Sequence, residues 1–191
     1  MIDNVILGIL MEGPQTGYGL KSIIEQSVGF FYSASYGSLY PALKRLAEQG
    51  AISLLESDGS KNKKLYALEP SGRERFLEWL GEPLTRSRNE HLLKFFFYDY
   101  LAEPLRGERL AGFHAVLREE LGRLAAVKQI VDKETEELEN PENYRFRLSV
   151  LTYGFRYLEM AERWLGDLRS KETGKHHHAG QGPAAEENKD E

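Results

Sequence analysis

With 191 residues, of which 41% are hydrophobic, the chain is long enough for one large domain or two small ones with cores of their own. A formal net charge of −5 excludes indiscriminate attraction to polyanions, and the absence of cysteine excludes disulfides, thiolate nucleophiles and cysteine-ligated metals. Lack of cysteine also fits a reducing, cytoplasmic setting.

The opening MIDNVILGILMEG is apolar for only a few residues, is interrupted by Asp3 and Glu12 and has no basic leader, so it reads neither as a signal peptide nor as a membrane span. Its apolar spacing predicts a helix over residues 3–11, stopped by Gly13-Pro14. Thr16 or Gly17 opens a second helix through Tyr18, Leu20, Ile23 and Ile24 to about residue 28. Leu39, Leu43 and Leu46 then recur at i, i+4 and i+7, which turns Tyr36, Ser38, Tyr40, Lys44 and Arg45 outward on a third helix. Pro41 is tolerable if that helix starts late, near Ser38, and Gly50 ends it. Ile52 and Leu54, then Tyr66 and Leu68, alternate with the period of a strand around the turn-forming Ser57-Asp58-Gly59-Ser60. The returning arm carries Lys61, Lys63 and Lys64 within four residues.

Helix, helix, helix, strand, strand is the order of a winged helix-turn-helix. Residues 1–82 hold 8 Lys/Arg against 10 Asp/Glu, so affinity for a polyanion has to come from local clusters, and Lys44-Arg45 and Lys61 to Lys64 are those clusters. A fourth helix follows from Ser71 to Leu80 with Pro70 at its first position, and Gly81-Glu82-Pro83 marks a domain boundary.

Every strong pattern beyond is helical. Residues 92–101 are apolar almost all round, and residues 109–138 carry one apolar stripe. The helix expected over residues 141–169 carries two seams, Tyr144, Leu148, Leu151, Phe155 and Leu158 on one side, and Phe146, Val150, Tyr153, Tyr157, Met160 and Trp164 on the other. Two seams need two neighbours, and a second copy of the chain is the simplest cover for one of them, so a homodimer is expected with Tyr144, Phe146, Val150, Leu151, Tyr153, Phe155, Tyr157, Met160 and Trp164 at its interface. Residues 170–191 lack bulky apolar side chains and read as a disordered tail. The expected fold is mainly α with a small β-hairpin: a winged helix-turn-helix over 1–82, a helical dimerisation or effector domain over 83–169, and the tail.

The stretches ILGILMEGPQTGYGLKSIIE, SASYGSLYPALKRLAEQGAI and KKLYALEPSGRERF resemble, in order and spacing, the PadR family of transcriptional regulators. The closing LTYGFRYLEMAERWLGDL is similar to the last helix of a virulence-activator-type C-terminal domain. Gly17, Gly19 and Glu69 depart from the family's usual His, acidic residue and Thr. The resemblance implies a DNA-binding repressor on a pseudo-palindromic operator. The expected DNA-facing set is Tyr18, Lys21, Ser35, Tyr36, Ser38, Tyr40, Lys44, Arg45, Lys61, Lys63 and Lys64. It also implies a small aromatic effector, with Phe95, Phe96, Tyr98 and Tyr100 as candidates, although aromatics at helical spacing also fill cores. Catalysis is not expected: only His91 and His114 lie outside the tail, and no phosphate loop or nucleophile elbow is present. No cofactor is expected, and His176 to His178, three adjacent residues on a tail, make a poor metal site. A winged-helix interaction scaffold and a ligand sensor that does not bind DNA are the competing readings.

Overall fold

In a computed structural model the structure describes residues 1–32, 36–56 and 64–178. Two compact units divide at Arg109 and Leu110.

The first unit opens with α1 (Ile2–Leu10), buried along Val5, Ile6, Leu7, Ile9 and Leu10. Gly13, at φ 138°, turns the chain into β1 (Gln15–Thr16), a two-residue strand that the sequence pattern does not announce. Thr16 then caps α2 (Gly17–Gln26), its Oγ1 accepting from the Gly19 N–H at 2.9 Å. Helix α3 (Tyr36–Glu48) begins two residues before the expected Ser38, which places Pro41 well inside it. The helix loses one backbone hydrogen bond there, and the ring is accommodated because Pro41 lies on the exposed face, opposite the buried Leu39, Ala42, Leu43 and Leu46.

The C-terminus of α3 is a Schellman motif. Gly50, at φ 68°, donates to the Ala47 carbonyl at 3.0 Å, and Ala51 donates to that of Leu46 at 2.9 Å. Strand β2 (Ile52–Glu56) pairs antiparallel with β3 (Lys64–Leu68), from Ile52 opposite Leu68 to Glu56 opposite Lys64. β3 also pairs with β1, giving a sheet of order β1-β3-β2. Ile52 is buried and Leu65 to Leu68 of β3 are half-buried, whereas Leu54 and Leu55 are exposed. The expected turn over residues 57–60 and the lysines at 61 and 63 lie outside the described residues.

Helix α4 (Pro70–Gly81) has proline at its first position and no side-chain cap from Glu69. Its N-terminus is pressed against the base of β2, where a Cβ on Gly72 would stand 2.1 Å from the Ala51 carbonyl oxygen. Helix α5 (Arg88–Phe96) and a 3-10 turn (Tyr98–Tyr100) follow. The sequence break at Gly81-Glu82-Pro83 therefore falls inside the first packed unit. The reason is Phe97, which stacks edge-on against Phe76 at 5.4 Å and occupies the space over Gly8 where a Cβ would be only 2.7 Å from its ring.

Within the second unit, α6 (Leu105–Glu136) continues from Leu110, which is buried with Phe113 and Leu117, whereas Val127 and Ile130 further along are exposed. A second 3-10 turn (Pro141–Tyr144) leads into α7 (Arg145–His178). Helix α7 thus runs nine residues past the expected end at Arg169, through the helix formers Lys171, Glu172 and Lys175 with no proline to stop it. Residues 179–191 lie outside the described residues. Among the described residues no helix is long and apolar enough to cross a membrane.

Gly72→Ala places a methyl group against rigid backbone, and the expected loss is about 2 kcal/mol of stability in urea unfolding. A loss below about 0.5 kcal/mol contradicts the close approach of α4 to β2.

Candidate nucleic-acid interface

Helices α2 and α3 expose polar side chains, Tyr18 on the first and Tyr40 and Lys44 on the second. The apolar stripe of α3 fixes which side chains point outward: Tyr40 and Lys44, four residues apart, are exposed, and Ser38 is half-buried. The Tyr40 ring lies over the first turn of α2, 3.1 Å from where a Cβ on Gly17 would be, so the glycine that departs from the family pattern makes room for it. Tyr18 stands exposed on the same turn, with the Lys21 ammonium 5.8 Å from its ring centroid. Tyr66 on β3 adds a third phenol, pushed up in pKa by burial and by the nearby Tyr40.

The cations differ in how free they are. Lys44 has only a loose pair with Glu48 at 3.7 Å, and its side chain is 79% exposed. Lys64 is exposed opposite Glu56 at the outer end of the described wing. Lys21 pairs with Glu25 at 3.7 Å.

Arg45, also expected to face DNA, is exposed but carries a partner from another helix. Its guanidinium forks onto the Asp3 carboxylate of α1, Nε to Oδ2 at 3.3 Å and Nη2 to Oδ1, and that contact holds its pKa above the ordinary value. Arg75 of α4 completes the cluster, donating to Asp3 Oδ2 at 3.2 Å and to Gln49 Oε1 at 2.7 Å. Nothing in sequence spacing announces this network, since its members lie 42 and 72 residues from Asp3. Tyr36 opens α3, and Ser35, Lys61 and Lys63 lie outside the described residues.

The four aromatic effector candidates separate into two pairs. Phe96 and Tyr100 line a cavity of about 310 Å³ within the first unit, together with Phe97, Glu12 and Asp99. Tyr100 donates its hydroxyl to Glu12, and burial and that carboxylate raise its pKa to about 12. Phe95 and Tyr98 are not part of that lining: Phe95 packs edge-on against Tyr98 at 5.3 Å, and Tyr98 is buried. The Tyr98 hydroxyl has no hydrogen-bond partner among the described residues, and burial lifts its pKa to about 12. Sequence reasoning also missed Lys94, fully buried inside the aromatic run. Its Nζ lies 3.3 Å from the Glu82 carbonyl oxygen, 3.4 Å from the Glu82 carboxylate and 5.2 Å from the Trp79 ring centroid, and burial pushes its pKa down.

On α7 the two seams have different fates. Leu148, Leu151, Phe155 and Leu158 are half-buried, and Gly154 on that side comes close to Leu124 of α6. Phe146, Val150, Tyr153, Met160 and Trp164 are exposed, as is Tyr144 from the first seam, while Tyr157 is half-buried.

Residues 6–78 match the family described as "Transcriptional regulator PadR-like family", and residues 87–171 match "Virulence activator alpha C-term". Among curated relatives, the "Negative transcriptional regulator PadR" of Bacillus subtilis is 34% identical over 107 residues, 53% of this chain and 59% of that protein. The "Probable transcriptional regulator Rv1176c" of Mycobacterium tuberculosis is 31% identical over 90 residues, 46% of this chain and 47% of that protein. The chain thus matches about half the length of these relatives. The crystal structure of Bacillus subtilis PadR in complex with operator DNA is 24% identical, with 88% of this chain and 97% of that chain covered at a TM-score of 0.41.

Tyr98→Phe removes a buried hydroxyl without a partner, and the expected gain is about 1 kcal/mol of stability. Its pKa of about 12 in the folded state lies above the ordinary value of 10.0, so the folded state holds the proton more tightly and loses stability as pH rises through that window. Chemical denaturation at pH 8 and at pH about 11 checks both effects: the variant is expected to be more stable at the first and less sensitive to the change.

Proposed function

Because its residues 6–78 make the chain a member of the PadR-like family of transcriptional regulators, we propose that it is a homodimeric repressor that binds duplex DNA sequence-specifically. The observation that carries this reading is the exposed face formed by Tyr18, Tyr40 and Lys44 beside the Lys64 end of the wing. Phenols and ammonium groups donate to phosphate oxygens, and an exposed helix fits the major groove. Ser38 and Lys21 belong to the proposed contact set, and the sequence expectation adds Ser35, Tyr36, Lys61 and Lys63 to it. The 34% identity to a negative regulator supports repression.

A twofold reader needs two copies. The exposed seam of Phe146, Val150, Tyr153, Met160 and Trp164 on α7 is the proposed interface, since a row of bulky apolar side chains left in water favours a self-complementary partner. The two recognition helices then enter successive major grooves, about 34 Å apart. A small aromatic ligand is the proposed effector, and the cavity lined by Phe96, Phe97 and Tyr100 is its proposed site. The Glu12 and Asp99 carboxylates on that lining favour a cationic or neutral ring over an anionic one.

Two measurements test this reading. In a salt titration of binding to an operator selected from random DNA, Lys44→Gln is expected to lower the slope of log K against log salt by about 0.9, the value of one phosphate contact. Tyr40→Phe is expected to weaken operator binding more than random-duplex binding; absence of any saturable, salt-sensitive complex for the wild type favours a protein-interaction scaffold instead. Val150→Asp, analysed by light scattering, is expected to halve the mass in solution and to weaken operator binding at least tenfold, about 1.4 kcal/mol. A dimer of unchanged stability contradicts the proposed interface.

A further inference from the structure

The Asp3 cluster is larger than the stability of a helix end requires. One acidic side chain in the first turn of α1 already complements the helix dipole. Here the same carboxylate takes a two-pronged contact from Arg45 of α3 and a further hydrogen bond from Arg75 of α4, whose other arm holds Gln49 just beyond the end of α3. The carboxylate side chain is only 13% exposed, whereas those of Arg45 and Arg75 are 46% and 43% exposed. The anion is thus inside and the two guanidiniums are at the surface, within reach of solvent and of any other anion.

We propose that Asp3 is a specificity-determining residue of the DNA-binding unit, which acts by withdrawing Arg45 and Arg75 from phosphate. This rests on the DNA-binding reading above. Residues 1–82 contain eight Lys/Arg, so one carboxylate engages a quarter of the domain's cations. Arg45 adjoins Lys44 in the last turns of the recognition helix, and a free guanidinium there would bind the backbone of any sequence equally well, bidentately and without reading a base. Held by Asp3, it contributes instead to the pose of α3 against α1 and α4. Sequence-independent attraction is left to the lysines, and discrimination to the tyrosine and serine side chains of α2 and α3. The neutral, nearly isosteric variant reverses this arrangement: asparagine keeps a hydrogen-bond acceptor but no charge to hold two guanidiniums.

The test compares wild type, Asp3→Asn, Arg45→Gln and the double variant on selected operator and on random duplex, from about 50 to about 200 mM salt. Asp3→Asn is expected to steepen the random-duplex slope by about 0.9 for each arginine released and to tighten random-duplex binding roughly tenfold at the lower salt, so that the operator-to-random ratio falls. A purely structural role would weaken binding to both duplexes without steepening the slope, and that result overturns the proposal. The double variant is expected to lose the part of the added slope that Arg45 carries; retention of the whole increment in its absence counts against Arg45 as its source and overturns the proposal as stated. Arg45→Gln alone leaves Asp3 paired with Arg75 and is expected to keep the wild-type slope, and a slope lower by about 0.9 shows Arg45 already on phosphate and refutes the idea. That arm keeps the proposal testable if Asp3→Asn fails to fold, as checked by circular dichroism. Failure of the DNA-binding reading is a different result: the wild type itself then forms no salt-sensitive complex with either duplex.

Discussion

The burial of one face of α3 is the constraint on which the rest of the interface depends. Leu39, Ala42, Leu43 and Leu46 are all sequestered from water, and α1 beside them is apolar along most of its length. Full burial of a leucine side chain contributes about 1.5–3 kcal/mol. Three leucines therefore anchor the helix far more strongly than the exposed lysine pairs beside it. With rotation about the helix axis set by packing, the opposite face has no freedom: Tyr40, Pro41 and Lys44 are outward because the leucines are inward. The Schellman end at Gly50 and the tight seat of Gly72 against Ala51 then lead the chain directly into β2, so the wing rises from a fixed point beside that face.

Charge acts on this frame by position, not by sum. An acidic chain attracts DNA only where cations stand closer to the phosphates than the carboxylates do, within a screening length of about 8–10 Å. Lys44 and Lys64 are exposed beside the phenols of α2 and α3, whereas Arg45 and Arg75 are turned to Asp3. The same principle distinguishes the aromatic cavity, which is bordered by the carboxylates of Glu12 and Asp99, from the buried Lys94, whose ammonium lies against the carbonyl and carboxylate of Glu82 next to α4. Tyr98 shows the reverse case, a hydroxyl buried for the packing of its ring and left without a partner.

Much of the first unit was legible from periodicity. The leucine stripe of α3, the threonine cap of α2, the glycine end at Gly50 and the alternation of the wing strands are local patterns, and each produced the element it implied. The failures share a cause. Strand β1 exists because β3 offers it an edge, not because two residues have strand character. Pro41 sits inside a helix because its ring faces water, a fact of tertiary orientation. Phe97 ties α5 to α1 across the glycine at position 8, which no spacing rule connects.

By itself the sequence determined the order of the elements, the side of α3 that is buried, the two seams of α7 and the resemblance to the PadR-like family, because these follow from nearest-neighbour geometry and residue type along the chain. The tertiary structure alone decided which charges are available. Arg45 and Lys44 are neighbours with the same formal charge, yet one is held by a carboxylate 42 residues away and the other is in water. It likewise decided which seam of α7 is left uncovered and which aromatics border a cavity. Pairing and exposure depend on distances through space between residues remote in sequence, and those distances exist only once the core has closed.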